Sequence, residues 1–252
     1  MVKTINIKNI SYGSLKLLKE CESCFWWHIK HGISRQNAWQ SQLPNTIEAR
    51  ILEKFYDYRM SGKLPPELNI PEIESFRLID HETHNKWKNP RSGEPTFQNL
   101  DANPDDVLTD GHKLIVLDIK TASKSPENCT EENFRKDIEK YEYKLQLEFY
   151  NYILRKLGYK TEDFGYILFY YIKDMDNQNN LKMEHKLIKV EIEVKNVTPL
   201  LKEAEKVLKN NKFPKSRCEF CSSNLERYKN KSKKQEESQN NVEEMMKEVY
   251  GL

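Results

Sequence analysis

The sequence contains no apolar run of about 18 residues or more, so it predicts no transmembrane helix. Residues 1–6 also lack the apolar core of a secretion signal. We therefore expect a cytoplasmic protein with no membrane partner. Cysteines are few as well, and in that compartment the five that are present are expected to be metal ligands or plain thiols rather than disulfides.

The chain has little net charge, because its 41 basic and 39 acidic residues leave only +2. Overall charge therefore implies no nucleic-acid partner, and any such partner must meet a local basic surface. Apolar residues make up only 37% of the chain and the mean hydropathy is −0.85, so the core is modest. The 13 tyrosines and 10 phenylalanines are nevertheless too many for a disordered chain. At 252 residues, the chain is long enough for one large domain or two small ones.

Two short apolar runs around an Asp-Gly turn are the organising feature of the chain. They lie within residues 104–120, and the turn is at residues 110–111. Asp105 stands at the start of the first run, and Asp118 and Lys120 stand at the end of the second. Residues two apart in a strand share a face, so Asp118 and Lys120 are expected to point the same way.

The register of this hairpin brings two acidic residues together. A tight turn pairs Thr109 with Leu114 and so places Asp105 opposite Asp118. Facing residues of an antiparallel pair have Cβ atoms roughly 5 Å apart. Two carboxylates at that distance repel each other unless a cation lies between them. With Lys120 available to hold a nucleophilic water or a phosphate, we interpret the hairpin as a candidate divalent-metal site for phosphodiester hydrolysis.

The alternative for these acids is that they are solvated at the strand ends, with Lys120 paired to one of them. The apolar run at residues 114–117 argues against this alternative, because such a run is typical of a buried central strand. Two charges at the end of a buried strand have little water to satisfy them, whereas a metal ion does so.

Periodicity and capping signals predict a chain of helices and strands. The predicted elements are, in chain order, an extended lead-in or strand over residues 1–10, a helix that begins at Ser11 or Ser14 and includes Phe25 and Trp26, a helix over 46–60, a short helix over 78–87, the hairpin over 104–121, a loop over 122–135, a helix over 136–157, strands over 164–172 and 187–194, and a helix from Thr198 to about 210. Residues 229–241 are charged and predicted to be disordered, and residues 242–250 are predicted to form a weak helix.

Three further polar residues are placed to join the hairpin. Gln146 and Tyr150 are four apart on the helix over 136–157, and their functional interpretation is that both face the hairpin. A glutamine at the border of an apolar stripe can equally bond a backbone group. Glu48 lies in the first turn of the helix over 46–60, where the helix dipole favours an acid in any case. Its functional interpretation is a further carboxylate at the metal.

Four cysteines form two C-x-x-C pairs at opposite ends of the chain, Cys21 with Cys24 and Cys218 with Cys221. Together they supply the four thiolates of a tetrahedral zinc site or an iron–sulfur cluster, and the alternative is four free thiols. A shared metal would clip the two ends of the chain together and close a very long loop. Cys129 lies in the predicted loop and is not expected to take part.

A basic and aromatic segment covers residues 25–31, and such a segment could stack bases and contact phosphates. The alternative is that Trp26 and Trp27 pack into the core beside the cysteines. We expect the second outcome for at least one of the two tryptophans.

Taken together, these residues resemble the PD-(D/E)XK nuclease superfamily. Pro104-Asp105 followed by Asp118-Ile119-Lys120 resembles its signature, and Gln146-x-x-x-Tyr150 resembles the QxxxY motif of its RecB-like branch. Residues 21–26 and the cysteine pair at 218–221 are similar to the terminal segments of the CRISPR-associated RecB-like exonucleases. The resemblance implies an α/β fold with a restriction-endonuclease-like core, in which helices flank a mixed central β-sheet and a four-cysteine metal clip joins the N- and C-terminal segments.

The resemblance also implies a role for each site residue. The implied ligands of Mg²⁺ or Mn²⁺ are Asp105, Asp118, the main-chain carbonyl of Ile119 and Glu48, the last standing in for a histidine that the family often has. The implied catalytic residues are Asp105, Asp118, Lys120, Gln146 and Tyr150. Lys120 would orient the attacking water or neutralise the transition state. Gln146 and Tyr150 would position Lys120 or the DNA backbone.

At the cysteines, the resemblance favours a [4Fe–4S] cluster, with Zn²⁺ as the alternative. The chain departs from the iron–sulfur members, which place one cysteine early and three late, because it has two and two. The implied organisation is a nuclease domain over residues 1–225, followed by a charged and flexible tail over residues 226–252.

The function that the resemblance implies is metal-dependent hydrolysis of DNA, exonuclease-like on single-stranded or end-containing DNA, in repair, recombination or CRISPR adaptation. Its implied partners are DNA and other nuclease–helicase or CRISPR-adaptation proteins. One alternative is a catalytically silent module on the same fold that binds DNA or a partner. Another is a structural zinc protein in which the hairpin acids are merely solvated.

Overall fold

The computed structural model of the protein describes residues 9–35, 43–88, 95–210, 214, 218–223, 226 and 227. The predictions for residues 1–8, 229–241 and 242–250 lie outside these residues. The chain divides into two compact units, Met1–Ala38 with Lys202–Leu252, and Trp39–Leu201. The division into a nuclease domain over 1–225 and a tail over 226–252 stays a prediction. None of the described helices is long and apolar enough to span a membrane.

The described part of the chain mixes helices and strands as predicted. The helices are α1 (Tyr12–Glu20), α2 (Glu22–His31), α3 (Leu43–Ser61), α4 (His81–Lys88), α5 (Glu131–Lys140), α6 (Tyr143–Lys156) and α7 (Val197–Lys209). The strands are β1 (Arg77–Leu78), β2 (Thr96–Phe97), β3 (Leu100–Asp101), β4 (Asp106–Thr109), β5 (Leu114–Ala122), β6 (Phe164–Met175) and β7 (Leu181–Glu191).

The first unit begins with two helices where the sequence predicts one. The Ser11 side chain caps α1, as predicted, and accepts a hydrogen bond from the Ser14 N–H at 3.3 Å. Cys21 then takes an extended conformation, with φ −167° and ψ 109°, so α1 ends and α2 begins at this residue. Cys24 follows in the first turn of α2, and the break therefore sets where both cysteines lie.

Trp26 and Trp27 of α2 are both buried, with only 9% and 3% of their surfaces exposed. Their rings meet edge to face with centroids 5.0 Å apart, and the His31 ring lies against both. The expectation that at least one of the tryptophans packs into the core is confirmed, because both are buried. Their covered faces argue against base stacking by these two rings.

A five-stranded mixed sheet is the centre of the second unit. Its strand order is β1-β4-β5-β6-β7, while β2 and β3 form a separate pair. The β5 and β6 strands are parallel, and the other neighbours in the sheet are antiparallel. Parallel neighbours need a long crossover connection, which here contains α5 and α6. The predicted mixed sheet with flanking helices is confirmed.

The β4–β5 hairpin has the predicted register, with Thr109 opposite Leu114. Asp110 stabilises the turn by accepting hydrogen bonds from the N–H groups of His112 and Lys113 at 2.8 and 2.7 Å. Gly111 has φ +91°, a conformation that a side chain would strain. The turn chemistry and the register agree, so the two acids at the far end of the hairpin are brought side by side.

The two faces of β5 meet different helices. Ile115, Leu117 and Ile119 face a buried cluster that includes Ile51 and Phe55 of α3. The intervening residues point to the other face, where α6 lies. A single strand therefore contributes alternately to the apolar core and to the polar side chains described below.

The helix predicted over residues 136–157 is two helices, and the loop predicted over 122–135 already contains the start of α5. Thr130 caps α5, and its side chain accepts a hydrogen bond from the Asn133 N–H at 3.3 Å. The exposed side of α5 carries acid–base pairs four residues apart, which gave the sequence a loop-like composition. Glu142, with φ +62°, then separates α5 from α6.

Close packing of α6 on the sheet depends on Gly165 of β6. A Cβ atom at this position would lie 3.0 Å from the Val116 carbonyl oxygen and 3.2 Å from both methyl groups of Leu147. The absence of a side chain thus lets α6 lie directly against the sheet at the level of β5 and β6.

Arg59 of α3 and Asp106 of β4 form a buried ion pair that the sequence analysis did not find. Arg59 Nη2 lies 2.5 Å from Asp106 Oδ2, and the two side chains are 3% and 0% exposed. Burial raises the pKa of Asp106 to about 6 although Arg59 opposes the rise, so the pair is ionised at neutral pH.

Asp106→Ala leaves the guanidinium buried without its partner. We expect it to lower the free energy of unfolding at neutral pH by about 3–5 kcal/mol, measured by urea denaturation.

Two further variants separate this pair from a general effect of substitution. The double variant Arg59→Met/Asp106→Leu leaves no buried charge and should recover most of the stability. Arg50→Ala breaks the exposed pair with Glu53 on the same helix and should leave the urea midpoint unchanged. A double variant no more stable than Asp106→Ala would contradict this interpretation.

Glu67 predicts a pH dependence of stability. It is 6% exposed, accepts a hydrogen bond from the Tyr170 hydroxyl at 2.7 Å and pairs with Lys54. Burial raises the pKa of Glu67, but Lys54 and Tyr170 lower it more, so the net shift is downward. A depressed pKa stabilises the fold above the ordinary pKa of 4.5, and this stability is lost as the pH falls through the folded-state value. Glu67→Gln should therefore lose less stability than the wild type between about pH 5 and about pH 3.

The measurement is the unfolding free energy at each pH, and the exposed Glu74 on the same segment supplies the control. Glu74→Gln should keep the wild-type pH profile. If Glu67→Gln keeps it too, the assignment of this stability to Glu67 is wrong.

Candidate functional site

The far end of the β4–β5 hairpin brings the predicted acids together. Asp105 lies immediately before β4, and Asp118 lies within β5 one step beyond the Asp106–Leu117 pair. The Asp105 carboxylate accepts a hydrogen bond from the main-chain N–H of Ile119 at 2.9 Å, which fixes it beside β5. The main chain of residues 118–120 is therefore in direct contact with the first acid.

Asp118 is fully buried, and its two oxygens have different surroundings. Oδ1 accepts a hydrogen bond from Gln146 Nε2 at 2.7 Å. Oδ2 lies 2.5 Å from Lys120 Nζ, which is the distance of a charge-assisted contact. Burial raises the pKa of Asp118 to about 7, Lys120 lowers it and Asp105 raises it further. This oxygen is thus a buried acceptor with an ionic neighbour.

Lys120 is held between a carboxylate and an aromatic ring. Its ammonium lies 5.0 Å from the centre of the Tyr143 ring, and its side chain is 21% exposed. Burial alone would lower the pKa of Lys120, but Asp118 and Asp105 raise it above its ordinary value. Lys120 therefore carries a positive charge at neutral pH and keeps part of its surface open to a ligand.

Gln146 and Tyr150 of α6 both reach the site, as their spacing predicts. Gln146 Nε2 donates to the Tyr150 hydroxyl oxygen at 3.0 Å as well as to Asp118. Gln146 thus contacts the second acid rather than Lys120. The two side chains form a short chain of hydrogen bonds that orients the buried carboxylate.

Glu48 of α3 is half-buried and senses the same charges. Burial raises the pKa of Glu48, Asp105 raises it further, and Lys120 and Lys88 lower it. Its side chain is therefore electrostatically coupled to the hairpin acids. The donor atoms of Glu48, Asp105 and Asp118 do not all lie within 4.8 Å of one another. Among the described residues, that distance is met by one group of three or more possible metal ligands, the four cysteines.

The second cluster lies in the first unit, where Cys21, Cys24, Cys218 and Cys221 meet as predicted. The Sγ–Sγ distances are 3.6 Å for 21–221, 3.4 Å for 24–218, 3.7 Å for 24–221 and 3.8 Å for 218–221. None of the four forms a disulfide. Burial raises the pKa of the Cys24 thiol, so this sulfur becomes a thiolate only when a bound cation compensates its charge.

Arg35 supplies one positive charge beside these sulfurs. Its Nη2 lies 3.6 Å from Cys218 Sγ, and its guanidinium lies 4.9 Å from the centre of the Phe220 ring. Glu20 pairs with the other side of the guanidinium and holds its orientation. A donor at a metal-bound sulfur tunes the site, so Arg35 belongs to the surroundings of the cluster. The sequence analysis did not identify it.

The sequence model of the PD-(D/E)XK nuclease superfamily matches residues 17–225, which is most of the chain and includes both clusters. The chain belongs to the PD-(D/E)XK nuclease superfamily. Among solved structures, it is similar to the alkaline exonuclease LHK-Exo from Laribacter hongkongensis, with 12% identity, 91% of this chain and 95% of that chain covered, and a TM-score of 0.40. It is also similar to LHK-Exo in complex with dAMP, with 13% identity, the same coverage and the same TM-score. A search of curated proteins found no match.

The donor set of this PD-(D/E)XK site fits a hard divalent cation. Its groups are carboxylate and carbonyl oxygens, which Mg²⁺ and Mn²⁺ prefer. Asp118 is a buried carboxylate that lies beside a second carboxylate, Asp105, and such an ion would compensate the charge of both. Asp105 is 16% exposed at the same end of the hairpin, so the site is open on that side.

Two residues of α4 contact Asp105 at the candidate site and were missed by the sequence analysis. Lys88 Nζ lies 3.4 Å from Asp105 Oδ1, and His84 Nε2 lies 3.3 Å from the main-chain oxygen of Asp105. Burial and the charge of Arg59 lower the pKa of His84 to about 4, so its imidazole is neutral at physiological pH. The signal in the sequence was a short polar helix with a histidine and a lysine four apart, which by itself is typical of a solvated surface.

Proposed function

We propose that this nuclease-superfamily chain is a divalent-metal-dependent deoxyribonuclease that hydrolyses phosphodiester bonds. The observation that carries the proposal is the surroundings of Asp118. A fully buried carboxylate bonded by Gln146 and faced by Lys120 stands beside a second, partly exposed carboxylate, Asp105. This arrangement of two carboxylates and a lysine is suited to a reaction at an anionic phosphate.

The proposed ligands of Mg²⁺ or Mn²⁺ are Asp105, Asp118, the main-chain carbonyl of Ile119 and Glu48. When bound, the ion lowers the pKa of a water molecule and neutralises charge on the phosphoryl oxygens. Gln146 holds Asp118 in one orientation through its 2.7 Å hydrogen bond, and Tyr150 in turn fixes Gln146. These two residues keep Asp118 pointed towards the position of the ion.

Lys120 acts on the phosphate. Its ammonium lies at the partly exposed end of the site and can turn from Asp118 towards a bound phosphodiester. There it orients the attacking water or neutralises the charge that develops on the phosphoryl oxygens. Attack in line with the leaving group leaves a 5′-phosphate and a 3′-hydroxyl.

The proposed substrate is DNA, and the proposed mode is exonuclease-like action on single-stranded or end-containing molecules. The proposed setting is DNA repair, recombination or CRISPR adaptation in the cytoplasm, with other nuclease–helicase or adaptation proteins as partners. These finer assignments rest on the resemblance to the RecB-like branch that the QxxxY motif and the cysteine pairs carry.

Lys120→Met removes the ammonium and keeps the length of the side chain. We expect it to lower the rate of Mg²⁺- or Mn²⁺-dependent cleavage of single-stranded DNA by about 10²–10³-fold or more, because the transition state loses a positioned cation. Asp118→Asn should have at least as large an effect through loss of a metal ligand. The measurement is single-turnover cleavage of a 5′-labelled oligonucleotide.

Lys113→Met is the matched control, because Lys113 stands at the other end of β5 and pairs with Glu162. It should cleave at the wild-type rate. Full activity of Lys120→Met would refute the assigned site. DNA binding by the wild type with no cleavage in either metal would instead favour the silent binding module.

For the cysteine centre, we propose one Zn²⁺ ion in place of the [4Fe–4S] cluster that the resemblance favours. Four thiolates bound to one ion at about 2.3 Å stand about 3.8 Å apart, which is the edge of the tetrahedron. Four of the six Sγ–Sγ distances are 3.4–3.8 Å and all six are within 4.8 Å, which supports that arrangement. In a [4Fe–4S] cluster, each thiolate binds a different iron, so the sulfurs stand farther apart.

The purified protein is therefore expected to be colourless and to contain about one zinc per chain by elemental analysis. Cys221→Ser should lose most of the zinc because three thiolates bind it far more weakly, whereas Cys129→Ser should keep it. A brown protein that absorbs at roughly 400 nm and contains about four irons per chain would overturn the zinc assignment.

A further inference from the structure

A row of cations and aromatic rings begins at Lys120 and ends at the junction between α5 and α6. The Lys120 ammonium lies 5.0 Å from the centre of the Tyr143 ring, and the centres of the Tyr143 and Tyr141 rings are 5.7 Å apart. The Lys140 ammonium lies 5.0 Å from the centre of the Tyr141 ring. The row is therefore continuous from the nuclease site to Lys140. The proposed hydrolysis assigns no role to Tyr141 or Lys140.

The backbone at Glu142 is what brings the two tyrosines together. Residues two apart in a continuous helix do not face each other. Here Tyr141 ends α5 and Tyr143 begins α6, while Glu142 between them has φ +62°. The change of direction at Glu142 places both rings on one side of the chain. An unbroken helix through these residues would separate the rings, so the row depends on the break.

The inner end of the row is anchored in the core. Lys120 and Phe169 are partners in the register of β5 and β6, so their side chains share one face of the sheet. The Tyr143 ring lies 6.3 Å from the Phe169 ring, which stacks on the Phe134 ring at 4.4 Å. Both phenylalanines are buried. Tyr143 is thus supported by a fixed aromatic pair and holds a constant position beside Lys120.

The outer end of the row is open to solvent. Tyr141 is 39% exposed, and Lys140 is exposed as well. A lysine over an exposed ring is held weakly, so Lys140 can leave the ring when another group stacks on it. Every nucleic-acid base has an aromatic face that can stack on such a ring, and a nearby lysine can contact the phosphate backbone. A stacking surface with a cation beside it is typical of sites that bind single-stranded nucleic acid.

We propose that an unpaired base of single-stranded DNA stacks on Tyr141 while a phosphate of the same strand lies at Lys120. The proposal rests on the proposed deoxyribonuclease function and specifies its substrate. Tyr143 lies between the two contacts and sets the distance between them. Lys140 contacts the backbone of the stacked nucleotide. Neighbouring bases cover each face of a base inside a duplex, so the base on Tyr141 comes from a single strand or a frayed end.

The test compares single-stranded oligonucleotides that are identical except for one abasic residue, placed in turn on either side of a mapped cleavage bond. Cleavage in Mg²⁺ or Mn²⁺ at low substrate concentration reports kcat/KM. Stacking predicts that the wild type cleaves the intact strand about 5-fold or more faster than one of the abasic strands. Tyr141→Ala removes the ring and should bring these two rates within about twofold of each other. Tyr141→Trp keeps an aromatic face and should keep the wild-type ratio.

Tyr152→Ala is the matched control. Tyr152 also has a lysine over its ring, because the Lys156 ammonium lies 5.4 Å from the ring centre. It stands nine residues after Tyr143 on α6, which is about 13 Å along the helix and on its opposite side. Tyr152→Ala should keep the wild-type ratio. Tyr141 is exposed, so Tyr141→Ala should keep the wild-type melting temperature, which a thermal melt checks.

The outcomes separate this proposal from the function on which it rests. If the wild type cleaves intact and abasic strands equally, or cleaves double-stranded DNA alone, the stacking proposal fails and the nuclease assignment stands. If Tyr141→Ala keeps the wild-type preference for the intact strand, the base stacks elsewhere and the proposal fails again. If the wild type cleaves no DNA in either metal, both assignments fail.

Discussion

The charge of Asp118 is the constraint on which the second unit depends. A carboxylate with no exposed surface is costly unless neighbouring groups compensate it, and burial moves its pKa to about 7. The compensation comes from two residues that follow Asp118 in the chain. Lys120 is two residues on in the same strand, and Gln146 comes from the helix of the crossover connection. The hairpin, the sheet and α6 must therefore pack in one arrangement for the two carboxylate oxygens of Asp118 to meet Gln146 and Lys120.

Much of the hairpin was predictable because its determinants are local. The Asp-Gly turn fixes the register, the period of two fixes the faces, and the apolar run of β5 fixes its burial. Asp105 and Asp118 were therefore found from the sequence. The proximity of Gln146 and Tyr150 was predictable because a helical spacing of four places two side chains on one face. The meeting of the two cysteine pairs was predictable because a tetrahedral ion needs four thiolates.

The remaining features depend on contacts that a linear pattern does not contain. The α5 helix is stabilised by a threonine cap and exposed ion pairs, so its composition resembles that of a loop. Cys21 ends a helix that periodicity would continue. Lys88 and His84 reach Asp105 only because α4 packs there, and Arg59 is matched to Asp106 across elements far apart in the sequence. In each case, tertiary packing determines the structure, and local propensity gives no signal of it.

The missing side chain at Gly165 connects the packing of the sheet to the chemistry of the nuclease site. The same helix that rests on Gly165 through Leu147 carries Gln146, the adjacent residue, whose amide reaches Asp118. A methyl group at 165 would crowd the Val116 carbonyl oxygen at 3.0 Å and the Leu147 methyl groups at 3.2 Å, so these neighbours would have to give way. A shift of α6 away from the sheet would lengthen the 2.7 Å hydrogen bond from Gln146 to Asp118. The lack of a side chain at Gly165 thus sets how closely α6 approaches the sheet and how far Gln146 reaches towards Asp118.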